Sequence, residues 1–157
     1  MTIETAYAAL AVAVAAALAH DDVGFIGTPA RLQVDPEAPI EAGGDPDAFE
    51  TAASIETLQT GPVRQILGRP EPRWVVERLC RVELQAVGPE RAERLSAIAA
   101  AAAALAVLPN SLPTLSGACE RLILTGVEDS VFEPNGVGKI LAFTLRVRSG
   151  DPLGTSA

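Results

Sequence analysis

Apolar positions recur every three to four residues at the start of the chain. Ile3, Tyr7, Leu10, Val14 and Leu18 form one stripe, and alanines fill most of the remaining positions up to Ala19. That period predicts an amphipathic helix over 2–19, with Thr2 or Thr5 as its cap; His20, Asp21 and Asp22 end it. Over 74–87 the period changes to two. Trp74, Val76, Cys80, Val82, Leu84 and Ala86 share one face, and Glu77, Arg81, Glu83 and Gln85 the other. This predicts a strand with one core face, in which Arg78 interrupts the apolar side and suggests a place near an edge. The helical period returns after Gly88 and Pro89, with Leu95, Ile98, Ala102, Leu105 and Leu108 as the expected buried stripe. Six consecutive alanines at 99–104 raise helix propensity. Glu90, Arg91, Glu93 and Arg94 make a solvated first turn, and Pro109 is expected to stop the helix. Alternation over 119–127 and 139–148 predicts a hairpin whose long polar connection, 129–138, contains the turn pair Asn135-Gly136.

Residues 20–72 are less periodic. Positions 31–34 read as a short strand, 35–47 as an acidic Pro/Gly-rich loop, and 48–60 as either a helix turn or a strand. Gly61-Pro62 and 68–72 read as turns around a short strand at 63–67. The order is helix, β excursion, long strand, helix, hairpin. It predicts an α+β fold: an antiparallel or mixed β-sheet with two alanine-rich helices packed on one face and a long β-hairpin. One domain is expected over 1–150, with an acidic excursion at about 35–56 and a C-terminal tail at 151–157.

Composition sharpens this. Of 157 residues, 28 are alanine and only 4% are aromatic, so much of the apolar content is small and suits close helix packing. The net charge is −8. Residues 1–72 hold 11 acids against 3 arginines, and the remainder holds 9 acids against 9 bases, so the excess lies in the first part. The single lysine and the acidic balance argue against sequence-specific nucleic-acid binding. No run is read as approaching the roughly 18–20 strongly apolar residues of a membrane span, so no membrane partner is expected. The apolar run at 8–19 has no preceding Lys or Arg and follows Glu4, which favours a helix over a signal peptide.

Candidate chemistry is sparse. Cys80 and Cys119 lie far apart in apolar stretches and read as buried free thiols. With one histidine, His20, a zinc site is not expected, and the position of His20 at a helix end is explained by the dipole. Gly136-Val137-Gly138-Lys139 lacks the upstream glycine and following Ser or Thr of a phosphate loop. Glu90 with Glu93, and Glu37 with Glu41, sit in polar stretches where raised pKa values are not expected. No catalytic residues, cofactor or metal are therefore assigned, and the protein is not expected to be an enzyme.

The second half has a distinct cadence: Arg73-Trp74-Val75-Val76-Glu77-Arg78-Leu79-Cys80-Arg81-Val82-Glu83-Leu84, the helix after Pro89, then the hairpin ending Ala142-Phe143-Thr144-Leu145-Arg146-Val147-Arg148. Preceded by a helix and a variable β excursion, it resembles the tail-terminator (tail completion) proteins of long-tailed bacteriophages and of related gene-transfer particles. The resemblance implies a non-catalytic virion protein at the tail–head junction, assembled in the host cytoplasm. Such subunits form a homo-oligomeric ring, usually a hexamer, that caps the tail tube, stops its polymerisation and docks onto the head–tail connector. An acidic lumen in such a ring lets DNA pass without sticking. Interface candidates from the sequence itself are Val131, Phe132 and Asn135 at the hairpin tip, and Asp45 and Asp47 in the acidic loop. The alternatives are another tail or neck protein (a head–tail joining protein or tube subunit) and a small dimeric ligand-binding or regulatory α+β module.

Overall fold

The computed structural model describes residues 1–25, 30–34, 48–132 and 136–157. Along these the elements are α1 (Ile3–Ala19), β1 (Ala30–Val34), β2 (Glu50–Ile66), β3 (Arg73–Val87), α2 (Arg91–Ala106), the single turn α3 (Leu108–Ser111), β4 (Arg121–Phe132) and β5 (Gly136–Ser149). The strands form one sheet in the order β1-β2-β3-β5-β4. β1 runs parallel to β2, and every other pairing is antiparallel. α1 and α2 touch each other and both pack on β3 and β5. The fold is α+β.

β3 is the central strand. Its even positions Val76, Cys80, Val82, Leu84 and Ala86 have no solvent exposure and meet Leu141, Phe143, Leu145 and Val147 of β5 beneath the helices. All five residues of the α1 stripe are buried, and Ala6, Ala11 and Ala13 are buried with them. The small side chains let the helix axis approach the sheet and α2. Thr2 is the cap: its Oγ1 accepts from the Thr5 amide at 3.1 Å. Because β3 has two strands on each side, Arg78 does not mark an edge.

Several local expectations change. β2 is one strand of 17 residues, so 48–60 is not helical and Gly61-Pro62 is not a turn. The pair lies in an irregularity between Thr60 and Val63, one of two in this ladder. Pro62 has no N–H to give a ladder, and a Cβ at Gly61 would stand 3.1 Å from Glu77 Cβ. A bulge absorbs both residues and the strand continues. The hairpin connection is also shorter than 129–138, because pairing runs to Phe132 and Gly136.

α2 begins at Arg91 with Glu90 as its cap, after Pro89. Its buried residues are Arg94, Ile98, Ala101 and Leu105, whereas Leu95 is 45% exposed. The stripe is thus rotated by about one position, and Arg94 leaves the solvated turn expected for it. A hydrogen bond from its guanidinium to the Gly88 carbonyl holds it there. Pro109 does not stop α2, which ends earlier; it sits in the first turn of α3, where a missing N–H costs nothing. By length and composition alone, Arg91–Ser111 is apolar enough to cross a membrane, contrary to the expectation from the sequence. Alanine supplies that apolarity, and the Ile98 side of α2 packs on the sheet.

Residues 150–157 fold back. Asp151 accepts from the amides of Leu153, at 2.7 Å, Thr155 and Ser156, and from the Thr155 hydroxyl at 2.8 Å. The loop presents the Gly154 carbonyl to the Ile3 amide at 2.8 Å, so it satisfies a free N–H at the start of α1. Gly154 has φ +76, and a Cβ there would stand 2.6 Å from Ile3 Cγ1. Phe143→Ala should lower unfolding free energy by about 3–5 kcal/mol, whereas Leu67→Ala, at a position 82% exposed, should change it by less than about 0.5 kcal/mol. Denaturant titration measures both. Gly154→Ala should speed amide exchange at Ile3 and lower the unfolding midpoint, through clash and left-handed strain together.

Candidate functional site

Odd positions of β3 face away from α1 and α2. Ion pairs cross the sheet on that side. Glu77 on β3 accepts from Arg146 on β5, with Oε1 at 2.8 Å from Nε and 2.6 Å from Nη2. Glu120, just before β4, holds Arg148 in the same way at 2.8 and 2.7 Å. Arg81 Nε lies 3.4 Å from Glu56 of β2, an ion pair without hydrogen-bond alignment. Arg121 stands directly across from Arg146 in the ladder and is exposed. Pairs this accessible contribute roughly 0–1 kcal/mol each. They make this face polar and orient it more than they stabilise the fold.

Among the described residues, two concave regions lie against α1. One is an apolar groove of about 380 Å³ between Ala9, Val12, Ala13 and Ala16 of α1 and the segment Leu112, Leu115 and Ser116. Val12 is 71% exposed there. Leu115 and Ser116 hold φ of 47° and 57°, unusual for side-chain-bearing residues. The other region is polar, about 380 Å³, and lies where α1 starts. It is lined by Thr2, Ile3, Glu4, Tyr7, Thr57, Arg78 and the loop Leu153-Gly154-Thr155. The Tyr7 hydroxyl is committed to the Ile55 carbonyl at 2.7 Å. Arg78 Nε is buried and has no hydrogen-bond partner.

Neither cysteine offers a nucleophile. Both are buried and neither is in a disulfide, and β5 separates the strand carrying Cys80 from the one that follows Cys119. Burial pushes the Cys119 thiol up to about 11, with a backbone hydrogen bond at Arg121 acting the other way. His20 caps the end of α1 in solvent, where its Nδ1 accepts from the Asp22 amide at 3.2 Å. Among the described residues, no group of three His, Cys, Asp or Glu is placed to hold a metal ion.

The sequence-derived interface residues are only partly located. Val131 and Phe132 are the last two residues of β4, in register with Val137 and Gly136, and so belong to a strand and not to the loop expected around them. Asn135, Asp45 and Asp47 lie outside the described residues. Arg78 was visible in the sequence as a charge inside an apolar alternation. Its pocket, formed with α1 and the C-terminal loop, was not.

The chain matches no protein-family model and no curated protein. Among solved structures it is similar to a chain described as "Virion of native gene transfer agent (GTA) particle", at 19% identity and a TM-score of 0.39, over 92% of this chain and 98% of the other.

Both thiols should resist alkylation at pH 7.5 in the folded protein and react within minutes once it is unfolded in guanidinium. Fast native-state labelling of Cys119 would contradict its burial. Asp151 gives a pH dependence. Desolvation acts to raise its pKa but is outweighed by hydrogen bonds from Ser156, Thr155 and Leu153, which hold it well below the usual carboxylate range. A carboxyl whose folded pKa is depressed stabilises above its unfolded value, about 3.9, and loses that contribution as pH falls toward the folded value. The unfolding midpoints of wild type and Asp151→Asn should therefore differ by a constant amount above about pH 5. They should begin to approach each other only below about pH 4 and meet as the pH nears the depressed folded value.

Proposed function

We propose that this chain is a structural subunit of a phage-like particle, a tail terminator whose ring caps the tail tube and docks onto the head–tail connector. The observation that carries the reading is the block from 73 to 149. The cadence that resembles tail terminators folds as one unit: β3, the alanine-rich α2 laid on it, and the hairpin β4–β5 returning so that β5 pairs along all of β3. α1 precedes it and shares its core.

The mechanism is geometric. A ring subunit needs two different surfaces, so that each copy meets the next head to tail and the circle closes. This chain has a helix-covered side with an apolar groove and a sheet side ruled by ion pairs, so its two sides differ in chemistry. No catalysis, cofactor or metal enters the proposal, and the partners are copies of the chain, the tube protein and the connector. Phe132 is proposed as an assembly residue at the end of the hairpin.

Light scattering across concentration, with electron microscopy of any large species, tests this. Six copies of a 16.2 kDa chain give about 97 kDa, and a particle of that mass with a central hole is the expected result. A stable dimer binding a small ligand would replace the reading with that of a regulatory module. Phe132→Ala should weaken assembly and leave the unfolding midpoint unchanged; unaltered assembly with reduced stability would assign Phe132 to its own core.

A further inference from the structure

The pocket at the start of α1 holds an arginine with no acid to answer it. Arg78 projects from the helix side of the central strand, where its neighbours at 76, 80 and 82 are apolar and buried. It is half-buried, its Nε is fully buried, and that N–H has no acceptor. Buried donors on charged groups are almost always satisfied, because an unmet one forfeits its hydration for nothing. The Nε atoms of Arg81 and Arg94 are likewise without a hydrogen bond, but Glu56 lies within ion-pair distance of the first and the Gly88 carbonyl accepts from the guanidinium of the second; on the sheet's opposite side Arg146 and Arg148 also have glutamates, and Arg121 is exposed. Arg78 has no such partner among the described residues, although the Glu4 carboxylate lies on the same pocket wall. The lining hydroxyls of Tyr7 and Thr155 are occupied by the Ile55 carbonyl and by Asp151. Beside the Thr57 hydroxyl, the charged donor that remains to recognise a ligand is the guanidinium, whose planar fork fits a carboxylate through two N–H groups. The positive end of the 17-residue helix α1 adds to its field.

We propose that this pocket is a carboxylate-binding site recognised by Arg78, filled on assembly by an acidic side chain of a second copy of the chain. The choice of occupant rests on the ring reading above and on charge. The chain holds 20 acids against 12 Lys and Arg, and the excess lies wholly within 1–72, whereas Arg78 belongs to the balanced remainder. An acid-rich part of one copy and an unanswered arginine of the next are complementary, and two unlike surfaces in contact are what closes a ring. At about 380 Å³ the pocket admits an aspartate or glutamate side chain.

Sedimentation velocity over a wide concentration range tests the proposal on wild type, Arg78→Gln, Arg78→Lys and Glu4→Gln. Arg78→Gln should raise the concentration for half-assembly at least tenfold. Arg78→Lys, which keeps the charge but loses the fork, should fall between. Glu4→Gln, at an exposed position, removes a competing like charge and should lower the midpoint severalfold even if the Arg78 variants fold poorly. Assembly of folded Arg78→Gln at the wild-type midpoint would overturn the proposal and leave the ring reading standing. Weaker assembly in Glu4→Gln would also overturn it, because removing a like charge would then have cost the contact instead of favouring it. If wild type stays monomeric throughout, the ring reading fails, and sodium acetate against sodium chloride at equal ionic strength decides the site. A saturable shift of the Gly154 amide resonance in wild type, lost in Arg78→Gln, would keep the carboxylate site and assign it to a free ligand. No such shift would overturn the site as well.

Discussion

The rest of the molecule depends on the burial of one side of β3. Its even positions carry the side chains that α1, α2 and β5 all meet, and each fully buried one contributes about 1.5–3 kcal/mol. Alanine makes the arrangement possible. With Ala6, Ala11 and Ala13 on α1 and Ala101 on α2 fully or nearly buried, two helices fit side by side over one sheet face. A chain with only 4% aromatic residues cannot fill a wide interlayer gap, so it closes the gap instead. Phe143, Phe25 and Tyr7 are the aromatic residues fully or nearly buried in that core.

That same constraint accounts for Arg78. A charge on the apolar side of a central strand is tolerable only where the layer opens. The layer opens at the start of α1, where β2 bulges opposite residues 76–80 and the C-terminal loop comes in over Ile3. The loop does two things: Asp151 organises it, and its Gly154 carbonyl caps α1 while its backbone walls the pocket. Stability at the helix end and access to the arginine are therefore set by the same eight residues.

Much of this was legible in the order of residues, and the failures have local causes. α1, β3 and β5 follow from their periods because each buries one continuous face. β2 was obscured because a Gly-Pro pair signals a turn by propensity, and only the neighbouring strand, with Glu77 against Gly61, shows that a bulge accommodates it. α2 was placed correctly but rotated, since in a run of alanines the apolar stripe is poorly marked and one hydrogen bond from Arg94 to Gly88 decides the facing. Arg78 was noticed as an irregularity and misread as an edge signal. Period tells which face a residue shares, not which strands flank it.

The sheet's edges bear on assembly. A strand with free N–H and C=O groups invites pairing without end, and a subunit that stops a polymer must avoid becoming one. β4, an edge strand, is irregular: its ladder with β5 shifts between Leu124 and Gly126, and Thr125 gives its hydroxyl to the Ala142 carbonyl of β5 at 3.2 Å. Arg121, Glu128 and Asp129 add exposed charge along the same strand. The opposite edge, β1, is only five residues long. Bulge, charge and shortness are the devices that keep sheets from growing edge to edge. In the ring proposed for this chain, edges of this kind leave the side-chain surfaces as the place where copies meet. A contact made through side chains can have one fixed angle, and a fixed angle between unlike surfaces yields a closed ring of definite number only when successive rotations close the circle, and an open fibre otherwise.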